Sequence, residues 1–280
     1  MKNPFLELLV TQSVGPRVIS LRLNGGENLF AELPNDGIEL PGEESFHFYG
    51  GHRLWHAPES FPRTYAPDNK LVHVKETTAG CLVRQDVEAD TGMEKQIEIN
   101  LSQDKPQVVI HHTLINRGLW AVTCAPWAIT QMKTGGVAIL PQTQVDTVLL
   151  PNRSLVLWPY TDMRSPMVQW GKRFIFVEAQ MPSPFKVGFP NPVGWLAYWY
   201  QDTLFVKRAK YDEHAEYFDY GSSSQCYCNH LFLELETLGP VVSLEPDEAV
   251  THTEIWEVYP DVDKPSDEAA AQQIAEQFIL

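Results

Sequence analysis

Two segments near the end of the chain, HLFLELETLGP (230–240) and HTEIWEV (252–258), alternate apolar and polar residues with period two, which predicts β-strands. In the first, Leu231, Leu233 and Leu235 share one face, and His230, Phe232, Glu234 and Glu236 share the other. In the second, His252, Glu254 and Trp256 lie together. Paired as a hairpin, the two strands would gather histidines, carboxylates and aromatic rings on one sheet face. Such a surface suits a polar ligand such as a sugar, which needs carboxylates for its hydroxyls and aromatic planes for its C–H faces. The alternative is a solvated strand with ordinary polar alternation.

Similar runs recur along the chain. VISLRL (18–23), LVRQDVEA (82–89), QIEINL (96–101), QVVIHHTLIN (107–116), VDTVLL (145–150), RFIFVEA (173–179), WLAYWYQ (195–201) and TLFVKRA (203–209) read as strands. Turn clusters separate the runs, among them NGGEN (24–28), PNDG (34–37), PGEE (41–44), ADTG (89–92) and SQDK (102–105). Many short strands with regular turns predict an all-β antiparallel sandwich or barrel. The 21 prolines fit many short elements. One helix is predicted over 266–279, with Ser266 as N-cap, Asp267 and Glu268 in the first turn, and Ala270, Ile274 and Phe278 on one stripe. It is expected to close the C-terminal end by packing on the sandwich. No linker, repeat or low-complexity segment interrupts the 280 residues, so a single domain over 1–280 is the simplest division.

Charge and motif content narrow the function classes. The formal net charge of −15 opposes binding to nucleic acid or to an anionic membrane, and no Lys/Arg cluster offsets it. No apolar run reaches the roughly 18 residues of a membrane helix. The opening MKNPFLELLVTQ lacks the apolar core and cleavage site of a signal peptide. Cys81, Cys124, Cys226 and Cys228 are too few and too scattered for a disulfide framework, so a reduced, cytoplasmic protein is expected. There is no GxGxxG, P-loop, G-x-S-x-G or HExxH. No cofactor and no metal are expected. His111 and His112 alternate to opposite faces of a strand and cannot easily share one ion. The oligomeric state is left open.

Several motifs resemble the galactose mutarotase-like superfamily, whose founding members are aldose 1-epimerases. VTQSVGPRVISLRLNGGENLF (10–30) is similar to that family's first hairpin, and FYGGHRLWHAPE (48–59) falls where a Gly-Gly loop stands at the mouth of the site. The LET of FLELETLGP lies where epimerases place a catalytic Glu, and PDEAVTHTEIWEV (246–258) is similar to the final strand. The chain looks closest to a branch sharing GGHRLW, APW, ELETLGP and HTEIW. The resemblance covers most of the chain in order and is strongest at its two ends. It implies a large antiparallel supersandwich with a ligand cleft on its concave face. It also implies ring opening by a Glu base and a His acid. The sequence departs from that pattern at Ala125-Pro126-Trp127, which occupies the neighbourhood of the expected N-H-x-Y-F-N histidine, and at Thr237, where a Gln is expected. These departures weaken epimerase activity more than sugar binding.

By position, Glu236 would be the base, and His52 or His56 a helper from the mouth loop. Glu234 beside Glu236 would raise its pKa, unless one of the two pairs with Arg53 or Arg63. Arg53 offers a planar fork for vicinal hydroxyls or an anion, and Trp55 a stacking face. His230, His252, Trp127, Asp219 and Lys207 complete the expected walls of a site for a small sugar or a glycan. The competing readings are a binding or regulatory module without chemistry and a structural subunit.

Overall fold

Strand alternation sorts the side chains of this chain into two faces per sheet, and two sheets bury one face of each against the other. The computed structural model describes residues 1–40 and 44–280; of the PGEE turn only Glu44 falls within them. In the first sheet the order is Leu6–Val10, Arg17–Leu23, Phe46–Ala57, Val122–Met132, Leu233–Leu238, Ser224–Cys228, Phe185–Phe189 and Val156–Leu157. In the second it is Val168–Trp170, Phe174–Glu178, Val137–Pro141, Trp195–Tyr200, Thr203–Ala209, Ala249–Tyr259, Gln107–Asn116, Met93–Leu101, Gly80–Arg84 and His73–Glu76. All paired strands are antiparallel. This is the predicted all-β antiparallel sandwich. Its core joins Leu54, Leu233, Leu235, Phe185 and Val187 from the first sheet to Ile97, Ile110, Phe205 and Trp256 from the second. Among the described residues no helix is long and apolar enough to cross a membrane.

The C-terminal helix spans Glu268–Phe278. Its N-cap is Asp267, whose carboxylate accepts from the amides of Ala269 and Ala270, rather than the expected Ser266. The buried stripe is Ala271, Ala275 and Ile279, one residue on from the predicted one. It covers the outer face of the second sheet, against Val137, Ile139, Phe174, Trp195 and Val206.

Three expectations are corrected. The segments around 233–238 and 249–259 do not form a hairpin: they lie in different sheets, each between other partners. Period two fixes which residues share a face, but long-range topology selects the neighbour. The predicted strand VDTVLL (145–150) is an irregular loop with Val145, Val148, Leu149 and Leu150 exposed. Finally, the Gly50-Gly51 segment is the interior of the strand Phe46–Ala57, not a mouth loop. Gly50 and Gly51 have φ of 90° and 70°, and a Cβ would stand 1.9 Å from the carbonyl oxygen of Ala31 and 2.2 Å from that of Val18. Only glycine lets these backbones approach. Gly51→Ala is expected to destabilise the protein by about 2 kcal/mol or more, read as a lower urea midpoint at unchanged slope; an unaltered midpoint would refute the close approach.

Candidate functional site

The outer face of the first sheet carries a cleft of about 340 Å³. Strand register builds its floor in rows. Gly51, Gln131, Glu234, Tyr227 and Lys186 stand side by side on successive strands. Arg53, Ile129, Glu236, Gln225 and Gly188 form the next row, and Trp55, Trp127 and Leu238 begin a third. On each strand the intervening residues, such as Leu54, Leu233, Leu235 and Val187, point into the core. The cleft is lined by Phe48, Arg53, Trp55, Glu59, Tyr65, Trp127, Tyr160, Lys186, Tyr227, Phe232 and Glu234, among others.

Charges on this floor pair diagonally between rows. Arg53 Nη2 donates to Glu234 Oε1 at 3.1 Å, and Gln131 Nε2 donates to the same oxygen at 3.0 Å. The Arg53 guanidinium lies 4.4 Å from the Trp55 ring centroid. Lys186 Nζ donates to Glu236 Oε2 at 3.0 Å, and Trp127 Nε1 donates to that oxygen at 2.8 Å. The ammonium sits between two indoles, 4.7 Å from Trp127 and 4.8 Å from Trp158. Gly188 makes room for Trp158, because a Cβ there would come within 3.2 Å of the ring and 2.5 Å of Ser222 Oγ.

The two neighbouring glutamates differ in access. Glu234 lines the cleft, whereas Glu236 is fully buried beneath it. Burial pushes the Glu236 carboxyl up to about 7; the Lys186 ammonium opposes this and the Glu234 charge adds to it. Among the described residues, Glu236 Oε1 has no hydrogen-bond partner.

Of the expected site residues, the structure brings Arg53, Trp55, Trp127 and Glu234 together in the cleft, with Glu236 below. The others lie elsewhere. His230 is exposed and outside the cleft lining. Asp219 lies on a left-handed turn and accepts from Gln225 Nε2 at 2.7 Å, beside Glu236 but outside the lining. His52, His56, His252 and Lys207 point between the sheets, because alternation puts them on the faces opposite Arg53, Trp55, Thr253 and Val206. His52 therefore cannot reach a ligand in the cleft, nor can His56, which burial pushes down to about 3.

Lys207, His52 and His252 join His112 and Glu254 in one network, and His56, whose Nδ1 has no partner among the described residues, stands outside it. Lys207 Nζ donates to Thr130 Oγ1 at 3.0 Å and to the carbonyl oxygens of Leu235 at 2.9 Å and Ala128 at 3.1 Å, and forms an ion pair with Glu254 Oε1 at 2.9 Å. His112 Nδ1 donates to the His252 carbonyl at 3.0 Å, so in neutral His112 the Nε2 accepts. His52 Nε2 then donates to it at 2.6 Å, and Thr130 donates to His52 Nδ1 at 2.9 Å. His252 Nε2 donates to Thr237 Oγ1 at 2.8 Å, and Thr237 donates to Glu254. Ligand atoms of His52, His112 and Glu254 lie within 4.8 Å of one another, but the Lys207 ammonium already answers the Glu254 charge there. A divalent ion beside that ammonium would leave excess buried positive charge.

Sequence reasoning missed Lys186, Tyr160, Tyr227, Tyr65 and Gln131. Lys186 had a signal: it is the lone charge in FKVGF, where Phe185, Val187 and Phe189 claim the core.

No family model matches the chain, and no curated protein matches it. Solved structures do. The chain superposes on a TPR-domain-containing protein from Parabacteroides distasonis with a TM-score of 0.65 at 16% identity, covering 95% of this chain and 48% of that one. It thus spans about half the length of that protein. A galactose mutarotase-like protein from Lactobacillus casei gives a TM-score of 0.56 at 10% identity, over 92% of this chain and 99% of that one. The chain has the galactose mutarotase-like fold. A Klebsiella pneumoniae protein with a provisional aldose 1-epimerase name gives 0.60 at 9% identity, over 97% and 80%. At these identities the likeness concerns the fold, and the chemistry of this mutarotase-like sandwich has to be argued from its own side chains.

The buried histidines make stability pH-dependent. Burial, the first cause for each, pushes His112 and His252 down to about 4, while the Glu254 charge opposes it. Between about 6.5 and 4 the unfolded chain binds protons that the folded chain refuses, so stability falls as pH falls, by up to about 1.4 kcal/mol per unit for each such histidine. Glu236, raised to about 7, acts oppositely from pH 7 down to its unfolded value and offsets one of them. Urea midpoints measured from pH 7 to 4 should therefore drop steadily. A flat profile through pH 6 to 5 would contradict the neutral, buried network.

Proposed function

We propose that this protein binds a carbohydrate in the cleft on its first sheet. The observation that carries the reading is the combination on one surface of aromatic rings, Trp55, Trp127, Tyr160 and Tyr227, with the cleft-facing carboxylate of Glu234. Rings cover the apolar C–H faces of a sugar, and the carboxylate accepts from hydroxyls through charge-assisted hydrogen bonds. The structural neighbours named for mutarotase and aldose epimerase accord with this reading. A cytoplasmic setting accords with four buried, unpaired cysteines.

A second reading, epimerisation at the anomeric carbon, rests on Glu236. A carboxyl held near 7 has the range of a general base at neutral pH. Its carboxylate is sealed behind Trp127 and Lys186, so a ligand proton reaches it only after one of them moves aside. No histidine lines the described cleft to act as the acid on the ring oxygen. Binding without chemistry is therefore the better supported of the two.

Calorimetric titration with monosaccharides and short oligosaccharides tests the first reading. Glu234→Gln is expected to weaken the best ligand about tenfold or more, and Tyr160→Ala, at a residue 44% exposed, to weaken it without loss of stability. No binding by any carbohydrate would overturn the assignment. The second reading requires accelerated anomer exchange that Glu236→Gln abolishes; exchange at the spontaneous rate would dismiss it.

A further inference from the structure

We propose that the cleft selects an amino sugar, a pyranose bearing a protonated amine, over neutral and anionic sugars; this rests on the carbohydrate reading of the same cleft. The argument starts from which charges remain for a ligand. Both cations of the lining are paired with a carboxylate and almost fully buried. Arg53 is bound to Glu234 and laid on Trp55, with its side chain 4% exposed. Lys186 is bound to Glu236 and held between Trp127 and Trp158, with its side chain 5% exposed. Arg53 Nε and Nη1 have no hydrogen-bond partner among the described residues, but both are buried, so neither cation stands exposed to a phosphate or a uronate.

The carboxylates are placed the other way. Glu59 lines the cleft from an exposed position. Glu234 gives only Oε1 to Arg53 and Gln131; among the described residues its Oε2 accepts no hydrogen bond, and its side chain is 10% exposed. Two phenols in the lining, Tyr160 and Tyr65, stand near these carboxylates. Tyr160 is raised first by burial and then by the charges of Glu236, Glu59 and Glu234. Tyr65 is raised by burial, by its hydrogen bond to Glu59 and by the Glu59 and Glu234 charges, with Arg53 opposing. The carboxylate charges in both cases favour a cation, whereas burial, the largest cause, disfavours any charge there.

The rings reinforce the preference. Phe48, Tyr65, Tyr160, Tyr227 and Phe232 surround the same space, and an ammonium gains from aromatic faces as well as from carboxylates. An anion entering beside Glu59 and Glu234 would meet like charge with no open cation in reach, a repulsive element that discriminates against it. The formal net charge of −15 acts in the same direction at longer range, drawing cations toward the surface and slowing the approach of anions.

The test is a set of titrations at pH 7 and low salt with glucosamine, galactosamine, glucose, galactose, N-acetylglucosamine, glucuronate and glucose 6-phosphate. One of the two amines should bind at least tenfold more tightly than its neutral parent, and glucosamine more tightly than its N-acetyl form, which keeps the ring and loses the charge. The two anions should bind most weakly. The amine's advantage should shrink as salt is added and should largely disappear in Glu59→Gln, a substitution at an exposed position that leaves folding intact. Glucuronate or glucose 6-phosphate binding as tightly as the amines, or N-acetylglucosamine matching glucosamine, would overturn this inference while leaving the carbohydrate reading in place. Failure of every sugar to bind would overturn both.

Discussion

One buried ammonium ties the two sheets together. Lys207 rises from the second sheet, is wholly enclosed, and donates to the carbonyl oxygens of Ala128 and Leu235 in the first. Those two residues alternate with the cleft residues Trp127 and Ile129 on one strand and Glu234 and Glu236 on the other. The floor of the cleft is therefore held from behind by a charge that no ligand can reach. Desolvation lowers the lysine's pKa and the Glu254 charge opposes this. Such a pair contributes little net stability over an apolar pair of the same volume, yet losing one partner costs several kcal/mol. Its effect is to fix the position of one sheet on the other, because an ammonium with four oxygen partners tolerates little sliding.

Enclosure also explains why so many titratable groups that look catalytic in the sequence are not placed for catalysis. His52, His112, His252, Glu254 and Lys207 are the chemistry-bearing types an active site uses. Here each finds its partners inside the sandwich, through Thr130 and Thr237 and through backbone carbonyls. A buried polar network of this kind is favourable only when every member is satisfied, and the neutral histidines complete one consistent run of donors and acceptors.

Much of this was legible in the sequence and part was not, for physical reasons. The period-two pattern of LELETL correctly separates Leu233 and Leu235 from Glu234 and Glu236, since alternation is local. The partner of that strand is not local, and the expected hairpin with HTEIWEV gave way to pairing with Ser224–Cys228 and Val122–Met132. The two segments still meet, but across the core, where Thr237 bonds His252 and Glu254. The mouth-loop expectation for GGHRLWH failed because paired glycines also serve where neighbouring backbones crowd a strand. Once the segment is a strand, alternation sends His52 and His56 inward and Arg53 and Trp55 outward. VDTVLL has the composition of a strand, and tertiary context leaves it as a loop.

Glu234 and Glu236 show how little the residue type alone decides. They sit two apart on one strand, face the same way, and each meets one cation. Arg53, laid on Trp55, bonds only Glu234 Oε1, and Oε2 accepts no hydrogen bond among the described residues. Lys186 and the Trp127 indole instead both bond Glu236 Oε2, leaving Oε1 without a partner among the described residues. The accessible carboxylate is thus neutralised on one oxygen and available on the other, the arrangement of a hydrogen-bond acceptor for a ligand. The sealed one is poorly solvated and lightly bonded, which lifts its pKa without giving it a substrate to act on. A cleft with open carboxylates at Glu59 and Glu234, buried and paired cations and aromatic walls is built to hold a polar ring in place, and any chemistry on that ring depends on whether the Trp127–Lys186 cover can open.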